Sequence, residues 1–552
     1  MIQKYAIYSI APVMLAISAA SFAGNFVRPD AGRTLQEITP PKALPEPSLD
    51  IDIQSPETKP AVEGGAQITV KSISIKGNSI YDQATLLALI GDFAGKSYDL
   101  AGLKKLANII TEHYRKNGYP FARAVIPAQK LDNGDITIEV VEGRYGDIKV
   151  NGTDKQSAGA QKFMDVLKSG DVIESKKLER ATLILDDQPG YSVTPVITPS
   201  EKIGAGDLDV SVTRDKKYYG EVGLDNYGNR YTGRTRGHIE LVADSPLMFG
   251  DQIRLNTIYT EENTWFGFLK YNLPIGGSGL RANIGYTHTY YELGKEFASL
   301  DANGTAKVTT LGLSYPIIRS QNSNLTIAAN YQYKRLNDQT DAVDASFNKY
   351  SHSLPITLSF DVKDQLGLGG ITYGNVTWTH GTLNLDSELT ALDRLTAKTE
   401  GDFDKLNIDI ARIQALPAQF NLLGRLSMQA TNGNLDSSEK FGLGGVNGVR
   451  AYPSGEGFGD EGAFAKVELS YVGNTLFNPY AFYDVGSVKI NHNTFDDSKN
   501  RRSVSGTGFG VRLEKNKWSG DASVAWRLSG GRPLSDTKNE VPMMWLGGKY
   551  KF

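Results

Sequence analysis

The chain has 552 residues, a formal net charge of −3 and no cysteine. That length exceeds one small core and predicts several domains; the near-neutral charge gives no basis for a nucleic-acid partner, and the missing thiols exclude disulfides and thiolate chemistry. Fifty-eight glycines and 27 tyrosines beside a mean hydropathy of −0.32 describe a protein of many turns and many aromatics without overall oiliness.

Residues 1–23 place Lys4 ahead of an apolar run, 11–20, that gives way to Ser21-Phe22-Ala23. The run is too short to span a bilayer, and small residues stand where a peptidase would cut, so a secretory signal peptide is expected. No later stretch holds about 18 consecutive apolar residues, and no transmembrane helix is expected. Residues 24–40 contain Arg33-Thr34-Leu35-Gln36-Glu37-Ile38, about two helical turns between Pro29 and Pro40. So short a helix is marginal in water and needs somewhere to dock, which suggests a movable plug. Residues 41–65, rich in proline and acids and without a hydrophobic period, read as an extended, semi-rigid linker.

Residues 66–143 open on a strand around 70–76, turn at Gly77-Asn78, and continue into a short helix, 83–91. Asp99 caps a longer helix that sets Leu100, Leu103, Leu106, Ala107, Ile110 and Tyr114 on one face. Two strands follow, 122–127 and 135–142, split by a turn at 131–134. Residues 144–214 repeat the order: strand 147–151, helices 160–168 and 175–186, strands 191–198 and 207–213. Two tandem β-α-α-β-β units suit recognition better than catalysis, since short sheet edges can accept an added strand from a client. The stretch 91–97, GDFAGKS, looks like a phosphate loop but has three residues between its glycines where four are required, and it sits between helices; it reads as an interhelical turn.

From 215 to 552 the period becomes two. Ile253, Leu255, Thr257 and Tyr259 alternate with Gln252, Arg254 and Asn256, and Ala522, Val524, Trp526 and Leu528 with Ser523, Ala525 and Arg527. Apolar-out, polar-in alternation over about ten residues is the pattern of a transmembrane β-barrel. At about 20 residues per strand and connection, the segment holds roughly 16 or 18 antiparallel strands, 16 being the count adopted, and such a barrel is wide enough for a channel. The last strand alternates through Met544, Leu546, Gly548, Tyr550 and the terminal Phe552. Within the barrel, 441–463 is a glycine-dense loop around Gly448-Val449-Arg450-Ala451-Tyr452, and a strand downstream carries Phe482-x-Asp484-x-Gly486. A carboxylate in an apolar, aromatic strand calls for a cationic partner, and Arg450 is the expected one.

This mainly-β layout with an α+β preceding part closely resembles, over essentially the whole mature chain, the outer-membrane transporters of two-partner secretion systems, the filamentous-haemagglutinin, haemolysin and contact-dependent inhibition type with POTRA domains. The residues that carry the resemblance are Ala122-Arg123-Ala124-x-x-Pro127-Ala128-Gln129 and Val140-Val141-Glu142-Gly143-Arg144, then Asp225-Asn226-x-Gly228 with Gly233-x-x-Arg236, and the two barrel motifs above. The resemblance implies two POTRA domains in the periplasm and a barrel in the outer membrane. It implies a loop folded into the lumen and locked through Gly448, Val449, Arg450, Tyr452, Phe482, Asp484 and Gly486. Arg123, Pro127, Gln129, Glu142 and Arg144 are implied to contact substrate, and Tyr550 and Phe552 to form the barrel assembly signal. Where the family's motif more often has glycine, this chain has Ala451, which would be strained if the position required a positive φ.

The function implied is export of a large exoprotein, an adhesin, haemolysin or growth-inhibition toxin, recognised through its N-terminal secretion domain. Outer-membrane lipid and the barrel assembly machinery are the further partners; nucleic acid, nucleotide, cofactor and metal are not expected. The six histidines, His113, His238, His288, His352, His380 and His492, lack metal-ligand spacing, His288 reads as a lumen or interface residue, and Asp186-Asp187 reads as a helix-end pair, so no catalytic site is expected. An assembly factor inserting β-barrel proteins is the alternative function, and a solute porin ranks third.

Overall fold

The computed structural model describes residues 28–38, 63–130, 133–202, 204–473 and 476–552. The expected signal peptide, most of the linker and half of the turn at 131–134 lie outside the described residues. Helix α1 (Ala31–Ile38) stands alone at the start.

The first α+β unit comprises β1 (Ser72–Lys76), α2 (Gln83–Ile90), α3 (Leu100–Lys116), β2 (Arg123–Val125) and β3 (Asp135–Val141). Carboxylates start both helices: Asp82 accepts from the Thr85 N–H at 2.7 Å and Asp99 from the Gly102 N–H at 2.7 Å, satisfying donors that the first turn leaves open. Apolar residues of α3 (Leu103, Leu106, Ala107, Ile110 and Tyr114) join Ile136, Ile138 and Val140 of β3 in one core. The sheet order is β1-β3-β2, with β1 parallel to β3. Residues 91–97 lie in the link between α2 and α3, where Ser97–Tyr98 pairs antiparallel with Ile68–Thr69 in a small second sheet.

The second unit repeats this with β4 (Arg144–Gly152), α4 (Gln161–Met164), α5 (Ser175–Asp186), β5 (Tyr191–Pro199) and β6 (Ala205–Arg214), β4 running parallel to the central β6. The repeat extends to single bonds. The Ile75 N–H donates to Gln83 Oε1 at 3.3 Å, and the Val150 N–H to Gln161 Oε1 at 3.0 Å, each tying the first strand to the following helix. The helix expected over 160–168 is shorter: a 3₁₀ turn, Gln156–Ala160, leads into the four residues of α4. Gly159 lies so close to Phe249 that a Cβ there would stand 2.7 Å from the Phe249 Cβ, so the chain tightens to pass it.

Sixteen strands close the barrel, as the strand arithmetic expected: β7 (Tyr218–Asp225), β8 (Arg236–Asp244), β9 (Gln252–Thr260), β10 (Trp265–Pro274), β11 (Arg281–Glu292), β12 (Ala302–Arg319), β13 (Ser323–Thr340) and β14 (Ala345–Asp364) in the first half. The second half is β15 (Gly370–Leu385), β16 (Gly401–Leu416), β17 (Phe420–Thr431), β18 (Glu461–Tyr471), β19 (Phe477–Lys489), β20 (Arg501–Lys515), β21 (Trp518–Ser529) and β22 (Met543–Lys551). Each strand pairs antiparallel with the next, and β22 returns to β7 in register from Gly547↔Asp225 to Lys551↔Glu221. That five-residue ladder is continued by Phe552, whose N–H donates to the Gly220 carbonyl at 3.0 Å.

The second α+β unit is seated on one rim of the barrel. Phe249, in the β8–β9 turn, enters that unit's core, 4.6 Å from the Tyr191 ring and 5.7 Å from the Phe163 ring. Around it, Arg180 donates to the Pro316 carbonyl at 2.6 Å, Arg281 to Gln188 at 2.7 Å, and Arg319 clasps Asp187 at 2.7 and 2.8 Å. The turns on this rim are short, whereas the opposite rim carries the long connection 432–460 between β17 and β18.

Candidate functional site

The connection 432–460 folds into the lumen rather than over it. A two-residue ribbon, Phe441–Gly442 against Phe458–Gly459, forms its neck, and the tip is drawn together by the Val449 N–H donating to the Leu443 carbonyl at 2.7 Å. Glycine is required there: a Cβ on Gly448 would lie 1.9 Å from the Leu443 carbonyl oxygen. Leu443, Val449, Ala451 and Tyr452 are buried against Phe464, Tyr480, Phe482, Val488 and Val504 of the wall. Ala451 is absent from the positive-φ residues, so alanine is accommodated without strain, and its Cβ fills the space beside Gly506, where a second Cβ would lie 2.3 Å away.

Arg450 is 3% exposed and Asp484 0%. Its Nε and Nη2 reach the two oxygens of Asp484 at 2.9 Å each, and its backbone N–H reaches Oδ2 at 3.1 Å. This is the fork-to-fork geometry that makes arginine–carboxylate pairs strong and directional. Sequence reasoning missed two further partners. Glu468 on β18 accepts from Arg450 Nη1 at 2.8 Å and from Arg512 at 2.6 Å, and the Trp545 indole N–H donates to the Arg450 carbonyl at 2.7 Å. The guanidinium also lies 3.3 Å above the centroid of the Phe482 ring, a cation–π contact in a desolvated setting. One signal could have pointed to Glu468: it occupies the polar phase of β18, in register with Phe482.

The remaining lock residues meet in the same place. The Tyr452 hydroxyl donates to the Ser529 and Gly531 carbonyls at 2.6 and 3.0 Å, and Gly486 leaves room for Leu443, whose Cδ2 would stand 2.6 Å from a Cβ there. At the tip's far end Glu456, fully buried, accepts from Arg502 at 2.7 Å and from the Leu534 and Ser535 N–H groups at 2.8 and 2.9 Å. Nothing in the sequence pattern marked Glu456.

Helix α1 occupies the lumen beside the loop. Its Ala31, Leu35 and Ile38 are buried with Tyr231, Ile258, Phe266 and Tyr291 of the wall. The Ala31 N–H donates to Asp338 at 2.7 Å, Lys349 lies 3.7 Å from Asp30 and 2.8 Å from Asp436, and Arg33 donates to the Gly455 carbonyl of the loop. A Cβ on Gly32 would stand 2.5 Å from Ser437 Oγ, so helix and loop touch backbone to backbone. Between them and the β7–β8 wall remains a cavity of about 650 Å³, lined in part by Glu37, Asp225, Tyr227 and Arg236.

The residues expected to meet substrate on the first α+β unit are divided. Arg123 is exposed on β2 and Pro127 is partly exposed. Gln129 is used within the unit, its side chain bonding both the N–H and the C=O of Thr137 at 2.8 Å. Glu142 is buried and accepts from the Ser79 and Ile80 N–H groups at 2.6 and 2.8 Å, from the Tyr114 hydroxyl at 3.0 Å and from Arg144 at 2.8 Å. Burial pushes the Glu142 carboxyl up, and those donors, led by Ser79, outweigh it and hold it below the usual carboxylate range; burial and this anion push the Tyr114 phenol up. Arg144 also donates to the Gly170 carbonyl at 2.9 Å. Glu142 and Arg144 therefore join the two units to one another, and a carboxylate so enclosed has no face for a client. Tyr550 lies on the outward side of the seam, 4.8 Å from the Trp518 ring.

Residues 204–513, more than half the chain, match the family described as haemolysin secretion/activation protein ShlB/FhaC/HecB, and residues 68–143 match the ShlB-type POTRA domain. The chain is 27% identical over 542 residues to the heme/hemopexin transporter protein HuxB of Haemophilus influenzae, covering 94% of each. Its fold is similar to that of CdiB from Escherichia coli, with a TM-score of 0.71 and 19% identity, covering 90% of this chain and 93% of that one. BamA from Haemophilus ducreyi lacking POTRA domains 1–3 gives a TM-score of 0.50 at 12% identity, covering 88% and 100%.

Proposed function

The chain belongs to the haemolysin secretion/activation protein family, ShlB/FhaC/HecB, and on that premise we propose that it is the outer-membrane pore through which one large exoprotein leaves the cell. The observation that carries this reading is the pairing of an occupied lumen with two POTRA units at the periplasmic rim. Helix α1 and the loop fill the lumen and leave a cavity of about 650 Å³ beside α1, so an occupant must yield before an extended polypeptide can cross about 30 Å of hydrocarbon. A barrel-assembly factor has no evident use for a helix held inside its own lumen, which favours export over that alternative.

In this mechanism the exoprotein reaches the periplasm unfolded and its N-terminal secretion domain binds the POTRA pair. β-Augmentation is the proposed mode. The outer edge of β5 carries Pro195 and Pro199, which cannot donate to an added strand, so the edges β1, β2 and β4 are the candidates. The chain then threads the barrel and folds outside the cell, which draws it forward without nucleotide, cofactor, metal or a catalytic residue. Residues 1–23 are removed on export, 41–65 are the linker ahead of the first POTRA unit, and Tyr550 and Phe552 present the closing strand to the assembly machinery. The test is co-expression with the exoprotein, assayed in the medium and on the cell surface, for the wild type, Arg450→Ala and a deletion of 66–143. Export only with an intact transporter supports the reading. Export indifferent to both changes, with other outer-membrane barrels failing to assemble, overturns it in favour of the assembly factor.

A further inference from the structure

The outward face of β11–β14 carries an unusual row. His288, Lys307, Arg335 and Tyr350 are direct cross-strand partners in succession, on four adjacent strands. Lys307 and Arg335 are exposed. Two like charges directly opposite one another in a sheet are destabilising, and the outward neighbours on the same strands do not compensate them. On one side stand Tyr286, Thr309, Tyr333 and His352, on the other Tyr290, Thr305, Asn337 and Asn348, with no carboxylate among them. Arg335 is held by Tyr333, donating through Nε to its hydroxyl at 2.9 Å with Cζ 5.0 Å from the ring centroid. The Nε2 of His288 is buried and has no hydrogen-bond partner among the described residues, while its ring packs 4.6 Å from that of Trp265.

The level of this row in the membrane follows from the strands. Toward the periplasmic rim the same face presents Leu311, Leu313, Ile327, Leu354 and Leu358, all exposed. Tyr331 stands in register with Leu311, and Tyr286 and Tyr333, joined through Thr309, come next, as the aromatic girdle bounding a barrel's apolar band does. The cations are the first charged residues beyond it, on the side away from the POTRA units. They sit where the headgroups of the outer leaflet begin, and a phosphate monoester between Lys307 and Arg335 would neutralise both, with arginine offering two donors to it.

We propose that His288, Lys307 and Arg335 form a binding site for the headgroup phosphate of an anionic lipid of the outer leaflet, the phosphorylated glucosamine of lipid A being the chemistry that fits. The bound phosphate relieves the repulsion between the two cations, and the acyl chains run down the apolar face of β12–β14. The site rests on the placement of the barrel in the outer membrane and is independent of the exported client. The test uses full-length protein in detergent, titrated with bisphosphorylated lipid A and followed by native mass spectrometry and thermal melting. Each cation removed is expected to weaken binding about five-fold, so Lys307→Gln/Arg335→Gln loses about 30-fold, while Lys307→Arg keeps wild-type binding. Without lipid the double variant melts no lower than the wild type, because removing a like-charge pair costs nothing, and its melting point no longer rises with lipid. Unchanged affinity in the double variant overturns the proposal, as does equal binding of phosphatidylcholine or of dephosphorylated lipid. Displacement of the lipid by millimolar inorganic phosphate overturns the lipid assignment in favour of a free-anion site. Export of the client is expected to continue in the double variant, so a negative lipid result leaves the secretion reading intact.

Discussion

Arg450→Ala is the perturbation with the largest consequence the geometry supports. It removes three contacts to Asp484 and Glu468, at 2.9, 2.9 and 2.8 Å, and leaves two carboxylates in a site where they are 0% and 2% exposed. The two are not left equally. Glu468 keeps Arg512 at 2.6 Å, whereas the one hydrogen bond Asp484 keeps among the described residues is the residue 450 backbone N–H at 3.1 Å, with Lys466 its cross-strand neighbour. Breaking a buried pair by removing one partner costs about 3–5 kcal/mol, chiefly from Asp484, which shifts the docked-to-undocked ratio of the loop by roughly two to three and a half orders of magnitude. The expected result is a loop that opens to trypsin at Lys440 in the folded barrel, and a rise in single-channel conductance in planar bilayers. The double variant Arg450→Ala/Asp484→Ala removes the orphaned charge as well, so it should be less disturbed than the sum of the single variants, with a coupling of about 0.5–3 kcal/mol. Equal protease protection in wild type and Arg450→Ala, together with additive single and double variants, would refute the reasoning.

Other perturbations probe the parts around the loop. Phe249→Ala empties the contact between the β8–β9 turn and the second POTRA unit and costs about 3–5 kcal/mol at that joint, read as a broader POTRA–barrel distance distribution between spin labels and reduced export. Glu142→Ala leaves the Ser79 and Ile80 N–H groups without their acceptor, at about 1–3 kcal/mol for each buried group, and hydrogen exchange in 72–83 and 144–152 should accelerate. Because the folded state holds the Glu142 carboxyl below its usual range, its contribution is fully present above the unfolded pKa of about 4.3 and is lost as pH falls through the folded value; an acid titration of the same exchange rates checks this, and Glu142→Gln should flatten it. Deleting Phe552 removes the two backbone bonds to Gly220 that continue the five-residue seam, so less protein should show the heat-modifiable gel shift of a closed barrel.

The architecture was legible because each part carries a period. A period of 3.6 in α3 and of 2 from 215 onward set the domain order, and residue arithmetic gave the sixteen strands observed. The Arg450–Asp484 contact was legible for a different reason: one arginine in a glycine-dense loop and one acid in an apolar strand each had a need that the other could meet. What escaped were partners that look ordinary in sequence. Glu468 and Trp545 sit in phase with alternating strands and acquire a role only when the barrel brings β18 and β22 beside the loop tip. Glu142 and Gln129 take internal bonds that their residue types do not announce. Polar residues in a recognition unit suggest an exposed surface, yet both satisfy backbone groups at the sheet's margin. Spacing along the chain cannot distinguish a carboxylate that faces a client from one that closes the protein's own turn.

The two occupants of the lumen are held by different means, and this decides which one moves. The loop is tethered at both ends by β17 and β18, and its tip is fixed through Arg450, Tyr452 and Glu456 to five different strands and to the 530–542 connection. Helix α1 has eight residues, a length that is marginal by itself, and enters through a segment joined to the barrel only by way of the POTRA units. Its anchors include one N–H to Asp338, Arg28 to Thr340, the Arg33 contacts to the Gly455 carbonyl and the Phe458 ring, the Lys349–Asp30 contact and three apolar side chains. Withdrawal of α1 is therefore expected to cost less than undocking of the loop, so the helix is predicted to leave first while the loop stays docked. Gly32→Val strikes at this step, because its Cβ would meet Ser437 Oγ and Ser438 N near the start of the loop at 2.5 and 2.6 Å, away from the tip contacts of Arg450, Tyr452 and Glu456. Conductance should then rise to that of a chain lacking 24–40, with trypsin protection and slow hydrogen exchange of 441–460 retained. Loss of loop protection in Gly32→Val would show instead that helix and loop leave as one body.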